Sequence, residues 1–436
     1  MTDGLSEGQH EPTGRHEQPA AAADDKTTAT VVTPPVSGRH ADADPDVRPR
    51  VMLLGSGELS RELAIASRRL GAEVIAVDEY ADAPAHGVAD QSLVITMTNA
   101  DELSAAIRRV QPDFVVTTTD AVSLDALDAL AAGPANELAE LVPSARTVRL
   151  TADREGLRRL AADQLGLPAA PFWFVGSVGE LEAVGRHAGF PLLVRPVSGA
   201  AGQGRSVVAG PDDVEAAWHR AGTQRVLAET VVEIEFDITL IAVRSEGPRG
   251  LVIEFCSPIG HRRAEGDVLE SWQPQKLSTA ALDAAKSIAA RIVKALGGRG
   301  VFGVELMING DEVYFADVTA CPQQSAWVTL RSQRLSVFEL QARAILGLPV
   351  DTMMISPGAA RLIPRGRDGG GLPSADALSS ALGVPESDLL VSGRGSAPAD
   401  ARHQLGVALA TAPDVATARD RARQAATRLN MRDSRG

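Results

Sequence analysis

Two carboxylates, Glu305 and Asp317, flank an Asn-Gly turn in VFGVELMINGDEVYFADVT (301–319). Acids on neighbouring strands are the ligand set of a hard divalent cation, provided they share a face. Register decides that, because strand side chains alternate sides. A two-residue Asn309-Gly310 turn would set residue 308 opposite 311 and send the carboxylates to opposite faces. A three-residue loop, Asn309-Gly310-Asp311, sets 308 opposite 312. Phe302, Val304, Leu306, Ile308, Tyr314, Ala316 and Val318 then form one face, interrupted only by Glu312, which reads as core. Glu305 and Asp317 become diagonal neighbours on the other face, about 7–8 Å apart. Hydrophobic patterning therefore selects the three-residue loop. Magnesium takes one or two carboxylates and fills its shell with substrate phosphates, so the pair suits a nucleotide-bound Mg2+. Two solvated charges on a half-exposed hairpin are the competing reading.

Two glycine loops offer anion cradles. Gly55-Ser56-Gly57 sits between an apolar run and a helical pattern, where backbone N–H groups meet an anion at a helix N-terminus. Ser60 occupies the third glycine position of a dinucleotide fingerprint, and Asp78 ends the next strand where such a protein keeps its ribose acid, so a nicotinamide site is the rival reading here. The second loop, SGAAGQG (198–204), joins two strands, which excludes a P-loop or Rossmann turn and suits a hairpin lid over phosphates. Arg195 just before it is a fixed cation that can reach an α-phosphate, with a structural salt bridge as its alternative. Glu229 and Asp237 follow as candidates for adenine and ribose.

The elements that must position these residues are legible. VMLLG (51–55), a helix capped by Gly71, EVIAVD (73–78), a helix near 101–110, DFVVTTT (113–119) and a helix over 122–132 alternate as a doubly wound parallel α/β sheet does. This N-terminal Rossmann-like unit spans 49–150. A helix at 151–167 stopped by Pro168, a helix near 177–188, the strand PLLVRPV (191–197), SVVAG, a helix at 211–220, RVLAETVV and FDITLIAV predict a small α+β lid subdomain over about 171–241. It lies within a larger domain, 151–348, that adds helices at 278–296 and 334–346. The C-terminal unit, 349–436, holds a low-complexity stretch near 364–374, the strand LGVALATA (405–412) and a helix at 413–429.

Residues 1–48 lack large apolar side chains and are expected to stay disordered. The net charge of −13 argues against a nucleic-acid partner. No run of eighteen apolar residues and no basic, apolar leader appears, so no membrane partner and a cytoplasmic location are expected. Cys256 and Cys321 are too few for a disulfide framework and read as reduced.

The strand arginine, glycine-rich lid, Glu229 and acidic hairpin occur in the order of an ATP-grasp domain. More narrowly, RVMLLGSGEL, AVDEYADAPA, REGLRRLAAD, GHR at 260–262, ESWQPQ, LGGRGVFGVEL and LGVALATA resemble the formate-dependent phosphoribosylglycinamide formyltransferases, over most of 50–360 and 405–429. The resemblance implies ATP-driven phosphorylation of formate to formyl phosphate, formylation of glycinamide ribonucleotide, ATP and Mg2+ as cofactors, and a homodimer. At matching positions it implies that Glu58 and Leu59 bind the ribonucleotide. Arg154, Arg195, Gly202, Gln203, Gly204, Glu229, Val231, Val232 and Asp237 would bind ATP, and Glu305 and Asp317 the metal. Asp317 and Asp237 stand for family glutamates, while Arg195 and Gln203 stand for lysines. Thr118 replaces an acid, TACPQQSA (319–326), with Gln323 and Gln324, replaces a motif carrying Arg, His and Asp, and His403-Gln404 replaces an Arg pair, so the ribonucleotide phosphate loses its bidentate partners. A ligase with another amine acceptor and a silent nucleotide-binding relative are the alternatives. Cys321 reads as a packing residue and His261 as a polar-site candidate.

Overall fold

The computed structural model describes residues 48–133, 139–197, 204–222, 225–248, 250–264, 268–364, 372–392 and 404–430. Of the tail expected at 1–48, residues 1–47 lie outside the described residues, as do Gly202, Gln203, His403 and most of the 364–374 stretch, while Arg48 is described and donates to the Gly71 and Ala72 carbonyls.

The first sheet is built from β1 (Arg50–Leu54), β2 (Glu73–Asp78), β3 (Gln91–Val94), β4 (Phe114–Thr117) and β5 (Glu140–Val142), all parallel, in the order β3-β2-β1-β4-β5. Helices cover both faces, which is why β1, β2 and β4 are near-continuous apolar runs. Val51, Leu53 and Val74 pack against α1 (Glu58–Arg69), whereas Met52, Leu54, Ile75 and Val77 join Leu103, Ile107 and Leu127 of α2 (Ala100–Val110) and α3 (Leu124–Ala132). This is the doubly wound arrangement expected of the alternating pattern.

The helix expected over 151–167 is broken. α4 (Ala145–Ala152) ends at Asp153, whose side chain accepts from the Gly156 N–H and caps α5 (Arg154–Arg159), and a π-helical turn, Leu160–Gln164, follows. A capping aspartate within the run outweighs continuous helical periodicity, because its carboxylate satisfies an N–H that a new helix start leaves orphaned.

The second sheet holds β6 (Phe172–Val175), β7 (Leu192–Pro196), β8 (Ser206–Val208) and β9 (Val226–Thr230) in the antiparallel order β6-β9-β7-β8, backed by α6 (Val178–Ala188) and α7 (Val214–Ala221). FDITLIAV is not part of it. That segment lies in β10 (Phe236–Gly247), in the third sheet, so the subdomain ends with β9.

The third sheet has nine strands: β10, β11 (Gly250–Phe255), β12 (Ile259–Ala264), β13 (Val268–Gln273), β14 (Gly300–Asn309), β15 (Glu312–Thr319), β16 (Gly358–Pro364), β17 (Ser387–Val391) and β18 (Gln404–Thr411). Its order is β15-β14-β10-β12-β13-β16-β18-β17, with β11 paired to β10. Thus LGVALATA extends the sheet that carries the acidic hairpin. Ile238, Leu240, Phe302, Val304 and Leu306 bury one face against Ala285, Ile288 and Ile292 of α8 (Thr279–Leu296). On the other face Ile241, Val243 and Val301 are covered by Phe338, Ala342 and Ile345. Toward the start of β10 the same face turns polar, and the candidate site lies there. Among the described residues, no helix is long and apolar enough to cross a membrane.

Candidate active site

The hairpin departs from both expected turns. Asn309 pairs with Glu312, leaving Gly310-Asp311 as a two-residue turn, and Gly310 has φ 59°. Glycine at the first central position is the type II′ requirement, so Gly310 leads the turn instead of ending an Asn-Gly pair. That register alone would set Asp317 opposite Val304 and turn it into the core. A bulge intervenes: Leu306 pairs with Phe315 but Glu305 pairs with Asp317, so Ala316 is the extra residue. The core face is therefore Phe302, Val304, Leu306 and Ile308 with Val313, Phe315 and Val318. Tyr314 and Ala316, expected in the core, are displaced from it. Glu305 and Asp317 are directly opposite, a closer approach than the expected diagonal.

Burial and the neighbouring Asp317 carboxylate push the Glu305 carboxyl up to about 7, with Asp237 adding to the rise and Arg195 and Arg263 opposing it. A pair of hard oxygen donors in mutual repulsion is chemistry that a divalent cation relieves. Among the described residues, no group of three or more His, Cys, Asp or Glu side chains converges as a metal cage. Two carboxylates without a third fit a cation that completes its shell with phosphate oxygens.

Cations surround the pair. Arg154, at the start of α5, donates to the Pro196 carbonyl at 2.7 Å and lies in the field of Arg195, Asp317, Asp120 and Glu229; burial first, then Arg195, lowers its pKa. Arg195 Nη2 stands 2.7 Å from Glu229 Oε2, and Arg158 Nη2 bonds Glu229 Oε1. Both oxygens of this buried carboxylate, a candidate for adenine or ribose, face guanidinium groups of the protein itself. The salt bridge foreseen as the alternative for Arg195 is present, and among the described residues Arg195 Nε is buried without a partner. Val231 and Val232 follow β9; Val231 is exposed and Val232 partly buried. Gly204 has φ 67°, and a Cβ there would lie 2.8 Å from Pro196 and 3.1 Å from the Ala221 backbone, so no other residue fits.

On β10 and β12, Asp237 faces His261 across the strand pair. Burial raises the Asp237 carboxyl, opposed by His261 and Arg205, and burial lowers the His261 imidazole. Next to them Thr239 and Ser325 share a hydroxyl hydrogen bond of 2.9 Å.

The first glycine loop is closed on itself. Asp78 accepts from the Ser56 N–H at 2.6 Å and the Glu79 N–H at 2.8 Å. Its carboxylate braces the turn, which removes the ribose role that the nicotinamide reading gave it. Glu58, in the first turn of α1, pairs with Arg61 at 3.0 Å, and Leu59 is partly buried against the core. The Thr118 hydroxyl lies 3.0 Å from the carbonyls of Leu54 and Gly55, either of which can accept its proton, and 2.8 Å from the Ser60 hydroxyl. Gln323 bonds Thr319 at 2.6 Å and the Gly303 carbonyl at 3.3 Å, Gln324 is exposed, and Gln404 opens β18. Burial pushes the Cys321 thiol up to about 12, in keeping with a packing role.

Sequence reasoning missed Arg158, Asp120 and Arg263. Arg158 had a signal: it interrupts an apolar stripe with Leu157 and Ala161, and a charge on a buried helix face needs a partner. Asp120 and Arg263 are brought near Asp317 and Glu305 by the third dimension alone.

Residues 160–338 match the model of the ATP-grasp domain, and 49–151 that of the ribonucleotide synthetase preATP-grasp domain. A formate-dependent phosphoribosylglycinamide formyltransferase from Corynebacterium glutamicum is 47% identical over 390 residues, covering 88% of this chain and 94% of the relative. One from Paraburkholderia xenovorans is 46% identical, covering 86% and 94%. The solved structure of glycinamide-RNase-transformylase T from Mycobacterium tuberculosis is 70% identical, with TM-score 0.76, covering 87% of this chain and all of that one (100%). A carboxyaminoimidazole ribonucleotide synthase from Aspergillus clavatus, complexed with ATP, shares the fold at 22% identity and TM-score 0.75, covering 88% and 99%. The polar sheet face with its opposed acids thus sits in a chain that matches curated relatives along nearly their whole length, and the protein belongs to the formate-dependent phosphoribosylglycinamide formyltransferase family.

Proposed function

We propose that this protein formylates the amine of glycinamide ribonucleotide at the expense of ATP, a step of purine biosynthesis. A formate oxygen attacks the γ-phosphorus and ADP leaves; the ribonucleotide amine then attacks the formyl carbon of formyl phosphate, phosphate departs with the C–O bond pair, and the amine proton is released. The observation that carries this reading is the direct opposition of Glu305 and Asp317 on the polar sheet face, with Arg154 and Arg195 in their field.

Glu305 and Asp317 would hold Mg2+, which when bound supplies charge neutralisation to the transferring phosphoryl group. Arg154 and Arg195 face the phosphates, and Glu229 keeps Arg195 in place through its 2.7 Å ion pair. The segment at Val231 and Val232 receives adenine and Asp237 the ribose, and Gly202, Gln203 and Gly204 belong to the proposed ATP-binding set. Glu58 and Leu59 meet the acceptor. A cytoplasmic location and a homodimer belong to the same reading, the homodimer resting on the resemblance.

A second reading, a ligase for another amine, is favoured by one feature of the acceptor side: Thr118 and Gln323 spend their polar groups on the protein's own atoms. ADP release with Mg·ATP and formate discriminates. Glycinamide ribonucleotide is expected to bring turnover into the ordinary enzymatic range, on the order of 1–10³ s⁻¹, with formylated product matching ADP. Background release with glycinamide ribonucleotide but turnover with another amine would assign the second reading.

A further inference from the structure

His261 carries an acceptor atom that the fold leaves unused. Among the described residues its Nε2 is buried without a hydrogen-bond partner, and the Ile238 backbone is the hydrogen-bonding contact that opposes the lowering of its pKa by burial. In the Nδ1–H tautomer Nε2 presents a lone pair. A buried acceptor left unpaired is costly unless something meets it. His261 stands opposite Asp237, and both occupy the sheet face that bears Glu305 two residue pairs further along, where Thr239 is opposite Glu305. A carboxylate and an imidazole lone pair side by side match two adjacent hydroxyl groups. Asp237 is also one methylene shorter than the glutamate of the resembling family, so a single carboxylate at this place has reduced reach.

We propose that His261 is a nucleotide-specificity residue whose Nε2 accepts a hydrogen bond from one hydroxyl of the ATP ribose while Asp237 accepts from the other. This rests on the proposed placement of the nucleotide at Asp237. It assigns the vicinal diol to two strands instead of one side chain. The protein should therefore discriminate against nucleotides lacking one ribose hydroxyl.

Equilibrium binding of Mg·ATP, Mg·2′-deoxyATP and Mg·3′-deoxyATP to the parent protein, His261→Ala and His261→Gln tests this without turnover. His261→Ala is expected to weaken ATP about tenfold, the worth of one hydrogen bond to a buried acceptor. One of the two deoxy nucleotides should bind parent and His261→Ala alike, because the hydroxyl that meets Nε2 is already missing. His261→Gln, whose amide oxygen accepts in a similar place, should recover part of the loss. Equal weakening of all three nucleotides in both variants, or no change in any, overturns the proposal. Intact ATP binding without formyl transfer would count against the proposed acceptor alone, whereas a parent protein that binds no ATP would overturn both readings.

Discussion

Glu305→Gln is expected to lower formate-dependent ADP release by about a thousandfold, roughly 4 kcal/mol of barrier, because the neutral amide cannot replace the anionic ligand of a metal clamped on the transferring phosphoryl group. The same substitution should leave the fold intact and stabilise it. Burial and Asp317 push the Glu305 carboxyl up to about 7, so the folded state disfavours its ionised form. The sign follows from linkage: stability from a raised carboxyl is fully present at pH below the unfolded value and is lost as pH rises through about 7. In metal-free buffer at pH 8 the parent bears that cost and Glu305→Gln does not. Its melting temperature should therefore exceed the parent's at pH 8 and converge with it near pH 4. A variant inactive and destabilised at pH 8 would instead mark Glu305 as structural. Asp317→Glu keeps the charge and should retain activity.

The second large effect is on stability. Glu229 is 4% exposed and binds Arg158, also 4% exposed, and Arg195. Arg158 further donates to the Phe315 carbonyl at 3.1 Å and lies 5.9 Å from the ring centres of Phe172 and Phe315. The triad thus fastens α5 to the second sheet and to the acidic hairpin. Glu229→Ala removes the anion and leaves two guanidinium groups without it, one of them fully buried. Breaking a buried ion pair from one side costs about 3–5 kcal/mol. The urea midpoint should fall accordingly with little change in slope, and ATP binding should weaken because Arg195 loses its anchor. An unchanged midpoint would show that the triad contributes no net stability.

What could be read from the sequence follows physical lines. The parallel sheet was legible because it is covered on both faces, which makes β1, β2 and β4 plain apolar runs between helical periods. The acidic pair was legible as a shared-face pair, but by a register that does not occur. Gly310 took the first turn position, and the bulge at Ala316 restored the alignment that the shorter turn would have broken. A bulge leaves no mark in an alternating pattern until the partner strand is known. The strands from 250 to 273 escaped assignment for another reason. β13 buries Glu270 at 3% exposure, neutralised by Arg262 at 2.9 Å and by Arg361, so a strand with charge at its middle hides its burial. Arg154, Arg195 and Asp317 come from three segments far apart in sequence, and only the tertiary fold places them in one field.

Transfer of isotope from formate tests the central claim most directly. With Mg·ATP, glycinamide ribonucleotide and formate labelled with oxygen-18 in both positions, attack of a formate oxygen on the γ-phosphorus predicts that each phosphate released carries one labelled oxygen and that the formyl product keeps the other. Unlabelled phosphate at full turnover would mean that the carboxylate is never phosphorylated, and would contradict the account.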